Sequence, residues 1–181
     1  MHLPRSTTWC VPAVIFTLGC GNISEPEEWL LIQTDSDTYV TRDVGIEGSI
    51  PAYEFTVTVR TENRSGRTLY LSRCTPDTPI PTFGVGLVND SHEEGSAYAA
   101  TWACVGGDNH FVLRPGDIRT DALVLRGPNV FAYGTLEPFG ALTGRMLIVY
   151  QVQRCPGEGE CALPWEVGAS NVFEVELGPA P

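Results

Sequence analysis

Between Tyr53 and Leu71 the chain alternates between apolar and polar positions. Tyr53, Phe55, Val57 and Val59 are apolar, while Glu54, Thr56, Thr58 and Arg60 are polar. A period of two marks a strand with one dry face. Glu62-Asn63-Arg64-Ser65-Gly66 is polar and ends in glycine. Asn and Gly tolerate the positive φ of tight turns, so this stretch predicts a hairpin. The return run Leu69-Tyr70-Leu71 is strand-like and leads to Cys74. An antiparallel pair with one apolar face has to bury that face against a second sheet.

The same pattern recurs along the chain. Trp29-Leu30-Leu31-Ile32 and Thr38-Tyr39-Val40-Thr41 are short strand candidates, with Asp35 and Asp37 as turn residues between them. Phe83, Val85 and Leu87 alternate with glycines, and Tyr98, Ala100, Trp102 and Cys104 form the next set. Asn89 to Gly95 is predicted to be a polar hairpin loop between these two. In Leu113-Arg114-Pro115-Gly116-Asp117, Pro followed by Gly suits the central positions of a type II turn, which launches a strand from Ile118 to Arg126. Arg145–Gln153 is apolar on both parities, as expected of a central strand with both faces covered. Asn171–Leu177 places Phe173, Val175 and Leu177 inward. Asn129–Gly144 carries no periodic signal. Alternation predicts a core of Phe55, Val57, Val59, Leu69, Leu71, Val85, Trp102, Ile148, Tyr150, Phe173 and Val175. The fold class is all-β, an immunoglobulin-like antiparallel β-sandwich of about seven to nine strands.

The hairpin, the L-x-P-G-D turn into a strand and a late Tyr-containing strand resemble BsuPI-type intracellular proteinase inhibitor domains, loosely from Phe55 to Val152. That family is cytoplasmic and lacks this cysteine pattern, so the resemblance implies a fold and not inhibition.

Ahead of the first strand lies a different signal. His2 and Arg5 precede Trp9–Leu18, an apolar run of ten residues. Crossing a bilayer takes roughly 20 such residues, so the run reads as a signal-peptide core. It leads into Thr17-Leu18-Gly19-Cys20, where the chain resembles a bacterial lipoprotein precursor; Gly19-Cys20 matches the last two positions of that family's cleavage box, while Thr17 stands where the family usually has leucine. The resemblance implies cleavage before Cys20 and a diacylglyceryl group on its sulfur. Gly21, and not aspartate, follows the cysteine, which by the family's sorting tendency implies the outer membrane, facing periplasm or surface. The expected organisation is a lipoprotein signal peptide over 1–19, lipidated Cys20 and an acidic tether over 20–28, a β-sandwich over 29–178 and a tail over 179–181.

Six cysteines are present. With Cys10 in the signal and Cys20 acylated, Cys74, Cys104, Cys155 and Cys161 remain. An even number in an exported chain suggests two disulfides. Three pairings are possible, and the sequential one, Cys74–Cys104 and Cys155–Cys161, is expected. Neither spacing is the short one of structural zinc ligands.

Net charge is −11, and all eleven basic residues are arginine. Such a surface is a poor match for nucleic acid, which needs clustered positive charge. No nucleophile elbow, H-E-x-x-H motif or P-loop occurs, so neither a catalytic centre nor a cofactor is expected. Asp90, His92, Glu93 and Glu94, with Asp108 and His110 on a second loop, are the candidates for a divalent cation, although solvated loop tips account for them. Phe131, Tyr133, Phe139 and Trp165 could form an aromatic patch of the kind that binds carbohydrate. The expected function is a membrane-anchored envelope lipoprotein acting as a non-enzymatic binding module for a protein or envelope-surface partner. The alternative is a small-ligand or carbohydrate-binding sandwich using those aromatic loops.

Overall fold

The computed structural model describes residues 29–47, 50–88, 96–100, 109–128, 140–154 and 166–179. Among them twelve strands build two sheets, with no helix. The first sheet is organised on β4 (Ile50–Asn63), fourteen residues long. On one side β4 pairs along most of its length with β9 (Ile118–Gly127), from Tyr53↔Gly127 to Glu62↔Ile118. On the other, β3 (Arg42–Glu47) covers its first half and β1 (Leu30–Thr34) its second. The short β7 (Ala99–Ala100) joins β9.

The second sheet repeats this plan around β10 (Gly144–Arg154). One side of β10 carries β12 (Phe173–Glu176) and β11 (Glu166–Ala169) end to end, and the other carries β6 (Phe83–Leu87) and β5 (Leu69–Arg73). β8 (Asn109–Leu113) pairs with β5. β2 (Thr38–Val40) runs parallel to β12; every other pairing between the described strands is antiparallel. The molecule is therefore an immunoglobulin-like antiparallel β-sandwich. It holds more strands than the alternation predicts, because β3 and β11 are short edge segments without a clean period-two signal.

The core forms where the two dry faces meet. Phe55, Val57 and Val59 of β4 and Leu123 and Leu125 of β9 face Leu69 and Leu71 of β5, Met146, Ile148, Tyr150 and Val152 of β10, and Phe173 and Val175 of β12. Tyr39, Phe55, Tyr98 and Phe173 interlock: Phe55 meets Tyr98 edge-on at 4.8 Å and Tyr39 meets Phe173 edge-on at 5.1 Å, a geometry the ring quadrupoles favour. Of the expected core, Val85 is only partly buried, and Trp102 lies outside the described residues. Leu177 is 42% exposed, beyond the end of β12, so the inward alternation stops at Val175.

The predicted hairpin between β4 and β5 is not one. β4 belongs to the first sheet and β5 to the second, so residues 64–68 arch from one sheet to the other. The predicted loop from Asn89 to Gly95 lies outside the described residues. Polar turn chemistry is common to hairpins and arches, and only the burial of the two dry faces against each other separates them. Asn63 secures the arch through its side chain. Its Nδ2 donates to the carbonyls of Arg67 (2.8 Å) and Leu113 (2.9 Å), and its Oδ1 accepts from the Ser65 N–H and hydroxyl. The Asn63 N–H donates to Asp117 O, and its carbonyl accepts from Gly116 N, so the arch is tied to the β8–β9 turn. That turn has the predicted type II form: Asp117 N donates to Arg114 O and Gly116 has φ +81°, a region open to glycine at no steric cost.

Asp35 fills the gap that β1 and β3 leave along β4. Its N–H donates to Thr58 O, and its carboxylate accepts from Thr58 N (2.9 Å) and the Tyr39 hydroxyl (2.6 Å). Burial pushes this carboxyl up, but the hydrogen bonds from Tyr39 and Thr58 outweigh it, and the pKa falls below 3.8. Burial and the neighbouring carboxylate push the Tyr39 phenol up.

Candidate functional site

Strand parity decides which charged residues enter the sandwich. In β9, Leu123 and Leu125 face the core, so Asp121 and Arg119, two and four positions earlier, share that face. In β5, Leu69 and Leu71 face the core, and Arg73 follows on the same parity. In β8, Leu113 is buried and Phe111 shares its face. These residues meet along one flank of the sandwich, where β8 edges the second sheet and β9 lies next to the short β7 in the first.

The flank is built as a layered seam. Phe111 is the platform. The guanidinium carbon of Arg119 lies 3.7 Å from its ring centroid and that of Arg73 4.7 Å, within cation–π range. Arg119 is fully engaged: Nε donates to Asp121 Oδ2 at 2.8 Å, Nη2 to Asp121 Oδ1 at 2.6 Å, and Nη2 also to the Pro79 carbonyl. This bidentate fork is the strong form of the arginine–carboxylate pair, and it explains how Asp121 can be buried. Behind it, the Tyr150 hydroxyl is buried without a hydrogen-bond partner. Burial pushes that phenol up, and the Asp121 charge adds to the effect.

Arg73 is different. It stacks on Phe111, its Nε is buried with no partner, and it has no hydrogen bond or ion pair among the described residues. The next residue, Cys74, is buried. Arg73, Arg119 and Asp121 together leave one positive charge uncompensated. Apolar alternation does not single out these arginines; extending the Leu69/Leu71 and Leu123/Leu125 parities to Arg73, Asp121 and Arg119 is the signal that finds them.

Of the residues singled out for a divalent cation, Asp90, His92, Glu93, Glu94 and Asp108 lie outside the described residues. His110 sits on β8 opposite Ser72, edge-on to Tyr70 at 5.2 Å, with Nδ1 buried and unpartnered. No group of three or more His, Cys, Asp or Glu among the described residues is placed to hold a metal ion. Cys20, Cys104, Cys155 and Cys161 are likewise outside the described residues, as are Phe131, Tyr133, Phe139 and Trp165. No described helix is long and apolar enough to cross a membrane.

No family model matches the chain, and no curated protein matches it. Solved structures of similar architecture include E. coli alpha-2-macroglobulin in its native conformation, at 9% identity and a TM-score of 0.39, with 82% of this chain and 7% of that one covered. The chain thus spans a small fraction of that protein's length. Another is PapD-like domain 7 of human CEP192, an ASH/PapD-like domain, at 12% identity and a TM-score of 0.34, with 99% and 100% covered. Neither likeness bears on function.

Proposed function

We propose that the chain is an envelope lipoprotein whose β-sandwich serves as a non-enzymatic binding module held at a membrane by acylated Cys20. The observation that carries this reading is the distance in sequence between two features. Gly19-Cys20 closes the ten-residue apolar run, and the described residues begin at Trp29, whose ring is held 3.8 Å beneath the Arg154 guanidinium, itself 2.7 Å from Glu166. Eight residues separate the two, and a fully extended tether of that length reaches about 28 Å. The module would therefore work close to the lipid surface. Cys74–Cys104 and Cys155–Cys161 are the disulfides of this proposal, testable by peptide mapping without reduction. The likeness to BsuPI-type domains enters at the level of strand punctuation and brings no inhibitory activity.

Fractionation of cells expressing Cys20→Ser tests the anchor: the variant should leave the membrane pellet, and its retention there would count against the reading. A pull-down of envelope proteins set beside a glycan array tests the binding class. A glycan hit without a protein partner would favour the carbohydrate alternative.

A further inference from the structure

We propose that Arg73 is a preorganised recognition site for a monovalent carboxylate, presented end-on by an acidic side chain of a protein partner. The proposal deepens the binding-module reading, because it gives that module a chemistry and a location. It does not depend on the lipid anchor.

The first support is what Arg73 lacks. A buried N–H without an acceptor costs about 1–3 kcal/mol, and native structures rarely leave one without a reason. Arg73 Nε is such a group. Its terminal nitrogens are not among the buried unpartnered atoms and have no hydrogen-bond partner among the described residues, and Arg73 as a whole is only half-buried. The guanidinium thus presents a free donor edge at the flank of the sandwich. Arg119 cannot play this part, since Asp121 closes its fork.

The second support is rigidity. An unpaired arginine on a surface normally samples many rotamers, and ordering it on binding is costly. Here the guanidinium is stacked on Phe111, its backbone is paired in β5 with Asn109 of β8, and the following residue, Cys74, is buried. Much of that ordering is complete before a ligand arrives. The planar fork then matches a carboxylate, which accepts two parallel N–H bonds.

The third support is charge. Among the described residues the seam carries a single uncompensated positive charge, with Asp121 already inside it. A monoanion neutralises the seam, whereas a dianion such as sulfate or phosphate would leave an excess negative charge next to Asp121. The rest of the chain, at −11 overall, disfavours anions at long range. At physiological ionic strength that repulsion is screened beyond about 8 Å, so the local contact decides.

The test uses the full chain in detergent micelles, with proton–nitrogen correlation of the arginine Nε–H groups and backbone amides. Loss of one peak in Arg73→Lys assigns the Arg73 Nε–H. Acetate is titrated against chloride at constant ionic strength, then N-acetyl-aspartate N-methylamide against its asparagine analogue. The expected result is a saturable shift of the Arg73 peak and the Phe111 amide with acetate and the aspartate compound, and none with chloride or the asparagine analogue. Arg73→Lys, checked for an unchanged melting temperature, should weaken acetate binding, followed at the Phe111 amide, by at least about tenfold, since it keeps charge but loses the fork. A linear response, an equal response to chloride, or the same drift at all arginines would overturn the proposal and leave Arg73 solvated by water alone. An equal response to sulfate would overturn the monovalent assignment. None of these outcomes changes the fractionation of Cys20→Ser, so the anchor and the site fail separately.

Discussion

Asn63 and Arg73 occupy equivalent situations and are treated in opposite ways. Each is polar, each lies near the end of a strand on the parity of the core, and each enters the space between the sheets. Asn63 is completely buried, and both its amide nitrogen and its amide oxygen are used twice. Arg73 is pinned by a ring and left with unused donors. A buried polar group that is fully matched holds an architecture together. One that is held in place yet unmatched invites a group from outside. The same contrast recurs within the seam, where Arg119 is closed by Asp121 and Tyr150 keeps an idle hydroxyl.

The contrast can be broken by substitution. The largest effect is expected at Asn63→Ala, which strands the Leu113 and Arg67 carbonyls and the Ser65 N–H while keeping the backbone bonds to the β8–β9 turn. Denaturant unfolding should show a loss of about 3 kcal/mol. A loss below about 1 kcal/mol would mean that the arch is held by its flanking strands alone. Asp121→Ala removes the partner of a guanidinium that keeps 24% of its side chain in contact with water. The cost of orphaning a buried charge is therefore discounted to about 2 kcal/mol, read in the same assay.

Asp35→Asn should be milder and depend on pH. The folded-state pKa of Asp35 lies below 3.8, so its carboxylate stabilises the fold above that value, and the contribution is lost as pH falls through the folded pKa. The stability difference between wild type and variant, under about 1 kcal/mol at neutral pH, should shrink as pH falls below 3.8, and a constant difference would refute the role given to the Tyr39 and Thr58 hydrogen bonds. Tyr150→Phe is expected to change least, within about 0.5 kcal/mol of zero, because the hydroxyl it removes has no partner to lose. A large loss would show that the hydroxyl is bonded after all, and the reading of the seam as partly unmatched would weaken.

The same residues show what the chain discloses about itself before it folds. Phe55, Val57 and Val59 were legible as core because a strand with one dry face has to alternate. Pro115-Gly116 was legible because the positive φ at the second position favours glycine. Which sheet each strand joins was not legible. The arch at residues 64–68 is chemically indistinguishable from a hairpin, and the choice is made by Leu69 and Leu71 packing across from β4 instead of beside it. The short strands β3 and β11 escaped because Arg42–Glu47 and Glu166–Ala169 are short edge segments with little apolar pattern. The candidate site was half legible. Parity alone places Arg73, Arg119 and Asp121 inward, but their convergence on Phe111 requires β9 of one sheet to face β5 and β8 of the other, and that is a property of the assembled sandwich.

One pairing also governs the order in which the molecule can be completed. β2, near the start of the folded body, lies parallel to β12, near its end. Thr34 is hydrogen-bonded to Asn171 and Gly178 to Thr41, each across 137 residues of chain. A β-carbon on Gly178 would stand 2.0 Å from the Thr41 carbonyl oxygen, so that last contact admits only glycine at this approach. Non-local pairing of this kind is slow to form, and here it cannot begin until the final strand has been synthesised. A ribosome still holding β12 holds a chain whose second sheet lacks both β12 and the place beside it that β2 takes. For a protein proposed to leave the cytoplasm, that delay is useful: the sheet stays open, and the polypeptide threadable, until β12 has emerged.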